Sequence, residues 1–288
     1  MALRTSNRRT VAAVATLLGV VTAAGCAAPG SIPEGSTMAA LESSGEITIG
    51  IKYDQPLFGE MGADGVPTGF DVEVARIIAD ELGIGEDGIT WVEAPSGDRE
   101  DLLSSGRVDM VVATYTISDE RKERVGFAGP YYVAGQSLMT RTSDAEIASA
   151  LDLGDKKVCS VEGSTAASTI ARVAPDAGLV LFDDYSDCID PLRTGQVDVV
   201  TTDDVILAGY AADADGQFRI VGGAFTAEPY GIGVALEDDA FRLWIDDVLE
   251  AAMEDGRWLE AWNETAGEVL PEPQVPHLDR YARVATGE

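Results

Sequence analysis

Residues 109–132 read DMVVATYTISDERKERVGFAGPYY. The stretch opens as an apolar strand, DMVVAT, and passes the small hydroxyl residues Thr114, Thr116 and Ser118. A helix starts at Ser118-Asp119-Glu120-Arg121, and two tyrosines follow a Gly-Pro turn. A strand end that leads through hydroxyls into the first turn of a helix holds an anion well. Free backbone N–H groups point outward there, and an arginine adds a two-pronged contact to a carboxylate. Thr116 and Ser118 also serve as plain helix caps, and Arg121 as a surface partner of Asp119 or Glu123.

The regions on either side follow a repeated order. Residues 46–51 form an apolar strand, and 54–68 a loop containing Pro56, Gly59, Gly62, Gly65 and Pro67. In 70–82, FDVEVARIIADEL, Val72, Ala75, Ile78, Ala79 and Leu82 share one helical stripe, which Gly83 ends. A short strand at Trp91-Val92, a helix over 98–105 ending in Gly106 and a strand over 108–112 complete a β-α-β-α-β series. Short links in that order imply a mostly parallel sheet covered by helices. The series then recurs, with strands at 157–161, 179–182 and 197–201 and helices at 164–173, 185–194 and 203–211. Ser105-Gly106-Arg107-Val108-Asp109 is matched by Thr194-Gly195-Gln196-Val197-Asp198, 89 residues later. Two copies make two similar α/β lobes, not a solenoid. Residues 133–141 and 230–235 look extended, and helices follow at 239–254 and 257–264.

Residues 1–25 stand outside this fold. Arg4, Arg8 and Arg9 precede an apolar run at 11–21 that is too short to span a membrane, as in a signal peptide. Ala-Ala-Gly-Cys at 23–26 resembles a lipobox, with Ala23 where that motif more often has Leu; it would make Cys26 a lipidated amino terminus. The alternative is an ordinary cleaved signal. Residues 26–44, rich in Ala, Ser, Gly and Pro, read as a flexible tether. Removing 1–25 takes away three arginines and no acids, which leaves 17 basic residues against 50 acidic and a net charge of −33. So acidic a chain is a poor partner for nucleic acid or anionic headgroups, and any membrane attachment must come from the lipid. An anionic ligand would need a locally positive pocket. Lysines are few: Lys52, Lys122, Lys156 and Lys157. Cys159 and Cys188 remain as an even pair in an exported chain, so a disulfide is the simplest account, with two buried free thiols as the alternative. Closing that loop would contribute roughly 3–4 kcal/mol. The single histidine, His277, lies in a Pro-rich tail at 267–288 and no Cys-x-x-Cys occurs, so no metal and no cofactor are expected.

The 109–132 segment resembles the signature of extracellular solute-binding proteins, family 3, which capture amino acids for ABC importers; the likeness covers roughly residues 45–264. It implies a periplasmic-binding-protein-like α/β fold, with two lobes joined by two hinge crossings and a ligand cleft between them. Lobe 1 would comprise 45–133 and a return at 230–266, lobe 2 would comprise 134–229, and the extended runs at 133–141 and 230–235 would be the crossings. By the same resemblance Arg121, with the Thr116 hydroxyl and the backbone near Thr114, holds the ligand's α-carboxylate. Ser164 and Thr165, in a Gly-Ser-Thr turn, bind the same group, and Asp203 pairs with the α-ammonium. Ser164 and Asp203 are also good N-caps whatever the function. Relatives that take basic amino acids carry an aspartate just after the first strand, where this chain has Lys52. Its IGIKYDQP resembles the K-[FY]-D-Q-P form of the glutamate/glutamine branch, which also brings in Gln55. Lys52 would then meet an acidic side chain or its amide, or pair with Asp54 or Glu73.

The implied action is binding by lobe closure, followed by delivery to a membrane permease, in a monomer held outside the cytoplasm by lipid. Two rivals use the same scaffold. A dehydratase-like enzyme would need a placed acid, for which Glu162 is the visible candidate, and a sensor module would need a separate signalling partner.

Overall fold

A computed structural model describes Met1 and residues 32–282; the signal segment, Cys26 and the start of the tether lie outside the described residues. The remainder of the tether departs from expectation. Thr37–Ser44 forms a helix, α1, capped by the Ser36 hydroxyl and ended by Gly45 in the left-handed region. Met38 and Leu41 are buried at 2% and 7% exposure in the main core, and Thr37 bonds Asp238. Two apolar residues one turn apart suffice to dock so short a helix, and the Ala/Ser-rich composition hid them.

Lobe 1 begins with β1 (Ile47–Ile51), whose alternate residues are fully buried. The expected loop at 54–68 holds three short strands, β2 (Asp54–Gln55), β3 (Gly59–Met61) and β4 (Pro67–Thr68), in a small antiparallel sheet of their own. Then come α2 (Phe70–Glu81), β5 (Ile89–Glu93), α3 (Arg99–Ser104), β6 (Met110–Val111), the single-turn α4 (Asp119–Lys122) and β7 (Val125–Ala134). Lobe 2 contains β8 (Gln136–Arg141), β9 (Lys157–Val161), α5 (Thr165–Val173), β10 (Gly178–Phe182), α6 (Ser186–Thr194), β11 (Val199–Asp203), α7 (Asp204–Ala212) and β12 (Phe218–Val221). The chain returns to lobe 1 with β13 (Glu228–Ala235), α8 (Asp239–Asp255) and α9 (Arg257–Asn263).

The two sheets run β5-β1-β6-β13-β7 and β10-β9-β11-β8-β12. In each, three strands are parallel, the next (β13 or β8) is antiparallel to them, and the edge strand (β7 or β12) is antiparallel to that one. The first crossing is Gly135 alone. The second occupies residues 222–227, just before the 230–235 run, which is itself a central strand of lobe 1. The repeated Gly-x-Val-Asp does the same work twice. Gly106 and Gly195 end α3 and α6 with φ of 66° and 76°. Asp109 Oδ2 accepts the Thr48 amide at 2.8 Å, and Asp198 Oδ2 the Lys157 amide at 2.9 Å, which fixes the register of the neighbouring strand in both lobes.

Each lobe is braced differently. Cys159 on β9 and Cys188 on α6 form a disulfide with Cα atoms 5.8 Å apart. Lobe 1 is crossed by the carboxyl-terminal segment. Asp279 N donates to Gly129 O, the Tyr281 hydroxyl accepts from Phe127 N, and Arg280 pairs with Asp247 and Glu250 of α8. The Pro-rich tail is therefore a strap over β7 and α8, at least to Ala282. No described helix is long and apolar enough to cross a membrane.

Candidate functional site

The carboxyl ends of the parallel strands in both lobes face one another across the cleft, the usual place for a ligand in open α/β sheets. An inner cavity there is lined by Gln55, Ser96, Arg99, Thr114 and Thr116 from lobe 1 and by Ser164, Thr165, Tyr185, Thr202, Asp203 and Ile206 from lobe 2. An outer cavity at its mouth adds Arg121, Gly163 and Glu228.

Six of the eight expected residues thus line the inner cavity: Gln55, Thr114, Thr116, Ser164, Thr165 and Asp203. Arg121 lines the outer one. Its guanidinium donates to Thr116 O at 2.8 Å and, across the cleft, to Gly163 O at 3.0 Å, while Nε faces Glu100 at 3.4 Å. The lobes touch closely at this point. A Cβ on Gly163 would come within 2.6 Å of Gly97 Cα. Lys52 lines neither cavity. It is 1% exposed at the end of β1, and its Nζ has no hydrogen-bond partner.

Thr114 is where the expected strand stops short. Only Met110–Val111 pairs as strand, and Thr114 has a φ of 43°. Asp71, at the start of α2, holds that bend by accepting the Thr114 amide and the Tyr131 hydroxyl, both at 2.7 Å. The Thr114 hydroxyl then donates to Gln55 Oε1 at 2.9 Å and leaves Gln55 Nε2 buried without a partner. A buried donor left unmade costs about 1–3 kcal/mol, so an acceptor on a bound molecule would offset it.

Arg99 is the residue that sequence reading missed. Within APSGDRE it looks like the solvated first turn of a surface helix, and its charge carried no signal of burial. In the structure it is 3% exposed, bonded to Ser96 O and Ala113 O, with its guanidinium 4.2 Å from the Tyr115 ring centre. Burial, and next the nearby Arg121, push its pKa down to about 10. Lys52 is pushed down to about 8, first by burial and then by Arg99, against the pull of Asp54, Asp184 and Glu93. Opposite them, Asp203 at the end of β11 accepts the Tyr230 hydroxyl at 2.6 Å, and burial raises its carboxyl to about 7. Ser164 caps α5 through the Ala167 amide, so its hydroxyl serves the helix as well as the cavity wall.

Residues 47–264 match the model of bacterial extracellular solute-binding proteins, family 3. The chain belongs to that family. It is 39% identical over 275 residues to the glutamate-binding protein GluB of Corynebacterium efficiens, covering 92% of each chain. It is 36% identical over 260 residues to the ABC transporter glutamine-binding protein GlnH of Bacillus subtilis, covering 88% of this chain and 94% of that one. Among solved structures, an ancestral arginine-binding protein bound to glutamine superimposes with a TM-score of 0.73 at 32% identity, over 77% of this chain and 97% of the other. In this solute-binding protein Glu162, the acid that an enzyme reading would need, is exposed on a separate acidic rim with Glu93, Asp98, Asp183 and Asp184. It does not line the inner cavity.

Proposed function

We propose that this solute-binding protein is the amino-acid receptor of an ABC importer and takes an acidic L-amino acid, glutamate before glutamine. The observation that carries this reading is a pair of buried cations on the lobe 1 side, Arg99 in the wall of the inner cavity and Lys52 at the end of β1 with its Nζ unpartnered. A buried charge needs a placed counter-charge, and a side-chain carboxylate supplies one. Arg121, Thr116, Ser164 and Thr165 would receive the α-carboxylate from the mouth side, and Asp203 the ammonium. Gln55 Nε2 adds a donor for a side-chain oxygen. Glutamate- and glutamine-binding relatives support the same ligand class.

The action is capture and release, not catalysis. Each lobe supplies part of the contacts, so the ligand favours the closed state by the contacts that only closure completes. Release goes to a membrane permease. Cys26, once lipidated, would hold the monomeric body outside the cytoplasm, and mass spectrometry of the mature amino terminus tests that anchor.

Calorimetric titration of the protein with the common L-amino acids tests the ligand. Glutamate should bind tightest, with glutamine weaker. Preference for a basic or apolar amino acid would overturn the reading, as would silence across the panel.

A further inference from the structure

One interlobe contact centres on Asp54, which lines neither ligand cavity. Asp54, on β2 of lobe 1, reaches the amino end of α6 in lobe 2. Its Oδ2 accepts the Tyr185 amide at 2.8 Å and the Ser186 amide at 3.2 Å. The Tyr210 hydroxyl of α7, also in lobe 2, donates to the same residue, at 3.2 Å from Oδ2 and to the Asp54 carbonyl. Open amides at the start of a helix carry partial positive charge, so a carboxylate seated there makes strong, directional bonds.

Two further features fit this contact. Gly209, the neighbour of Tyr210, packs so closely on lobe 1 that a Cβ would lie 2.6 Å from Pro56 O and 3.1 Å from Pro56 Cβ. Cys188, in the first turn of α6, is tied by the disulfide to β9, so the amides that meet Asp54 are fixed to the lobe 2 sheet.

We propose that Asp54 is an interlobe latch, whose carboxylate seats on the first amides of α6 and the Tyr210 hydroxyl when the cleft shuts and is released when it opens. The latch acts on the population of the closed state and on the lifetime of a bound ligand, not on ligand chemistry. It rests on the amino-acid-receptor reading only for the second effect.

The main competitor is that Asp54 merely balances the charge of Lys52, which it stabilises electrostatically. Three substitutions separate the two accounts. Asp54→Ala removes both the latch and the counter-charge. Tyr210→Phe removes one latch donor from lobe 2 and changes no charge. Gly209→Ala leaves every hydrogen-bonding group in place and obstructs only the approach to Pro56.

Distances between spin labels on the exposed Asp98 of lobe 1 and Asp183 of lobe 2 would be measured in the full chain, first without ligand. Each substitution should shift the population toward longer distances while the thermal midpoint stays near that of the parent. With L-glutamate as probe, release should quicken by about 10-fold or more for Asp54→Ala and Gly209→Ala, and less for Tyr210→Phe, with little change in association. An unchanged distance distribution in Tyr210→Phe and Gly209→Ala would overturn the latch, even if Asp54→Ala weakens glutamate, because that pattern belongs to the counter-charge. If the parent ignores every amino acid, the receptor reading fails and the ligand-free distances still decide the latch.

Discussion

The two lobes share a plan and divide the chemistry. Both set a sheet by the same Gly-x-Val-Asp device, with the aspartate bonded to the adjacent strand. Yet at the inner cavity lobe 1 brings Arg99, with Arg121 at the mouth and Lys52 buried at the end of β1, whereas lobe 2 brings hydroxyls and Asp203. A zwitterion with an acidic side chain carries the complementary charges, two negative and one positive. Neither lobe alone satisfies it, which ties tight binding to closure. The lobes also differ in bracing, covalent in lobe 2 and a non-covalent strap in lobe 1.

The largest expected effect comes from removing the charged contribution of either half. Arg121→Ala and Asp203→Ala should each weaken glutamate by roughly 100-fold or more in calorimetry, the scale of a lost buried charge partner. Near-parental affinity in either variant would break the division of charge between the lobes. Next in size is bracing. Replacing both Cys159 and Cys188 by Ala should cost about 3 kcal/mol; Tyr281→Ala should cost roughly 1–2 kcal/mol through the lost strap contacts. Denaturant titration checks both, and equal costs would mean that the strap braces lobe 1 as firmly as the staple braces lobe 2.

A smaller effect sharpens the side-chain end of the site. Lys52→Met should lower glutamate affinity about 10-fold and leave glutamine nearly unchanged, as read by competition titration. Loss of both ligands to the same extent would make Lys52 a structural residue.

The smallest effect is on pH. Asp71 in lobe 1 and Asp203 in lobe 2 both have carboxyls raised to about 7 by burial. Each favours the folded protein while protonated. That stability is complete below the unfolded carboxylate pKa, near 4, and is lost as pH rises toward 7. The ligand-free thermal midpoint should therefore fall between pH 5 and pH 8, with a shallower slope in Asp203→Asn. Glutamate affinity should move the opposite way as Asp203 ionises to meet the ammonium. An Asp203→Asn slope identical to the parent's would remove Asp203 from this account.

The fold was legible because apolar period and punctuation agreed. The α2 stripe at Val72, Ala75, Ile78 and Ala79 is wholly buried, and the α3 and α6 glycines end their helices where the repeat placed them. Six cavity residues were legible for a related reason: they sit at strand ends and helix starts, which local signals mark. Arg99 was not, because its burial is created by Tyr115 and Ala113, which are distant in sequence. The strap escaped notice too. It is held by single contacts, Asp279 to Gly129 and Tyr281 to Phe127, and such contacts leave no period in the chain. Helix α1 has only one apolar pair, too little to outweigh a composition typical of linkers.

The second crossing is bonded to Gln136, the residue that follows the first. Gln136 N donates to the Thr226 hydroxyl at 2.9 Å, and Phe225 N donates to Gln136 O at 2.9 Å. Connections stitched together in this way cannot twist independently, so opening is confined to one soft coordinate, a rotation about a single short ribbon. One well-chosen ruler across the cleft therefore reports the state of the whole molecule, and a dye pair placed there would turn the protein into a calibrated optical gauge of its own ligand.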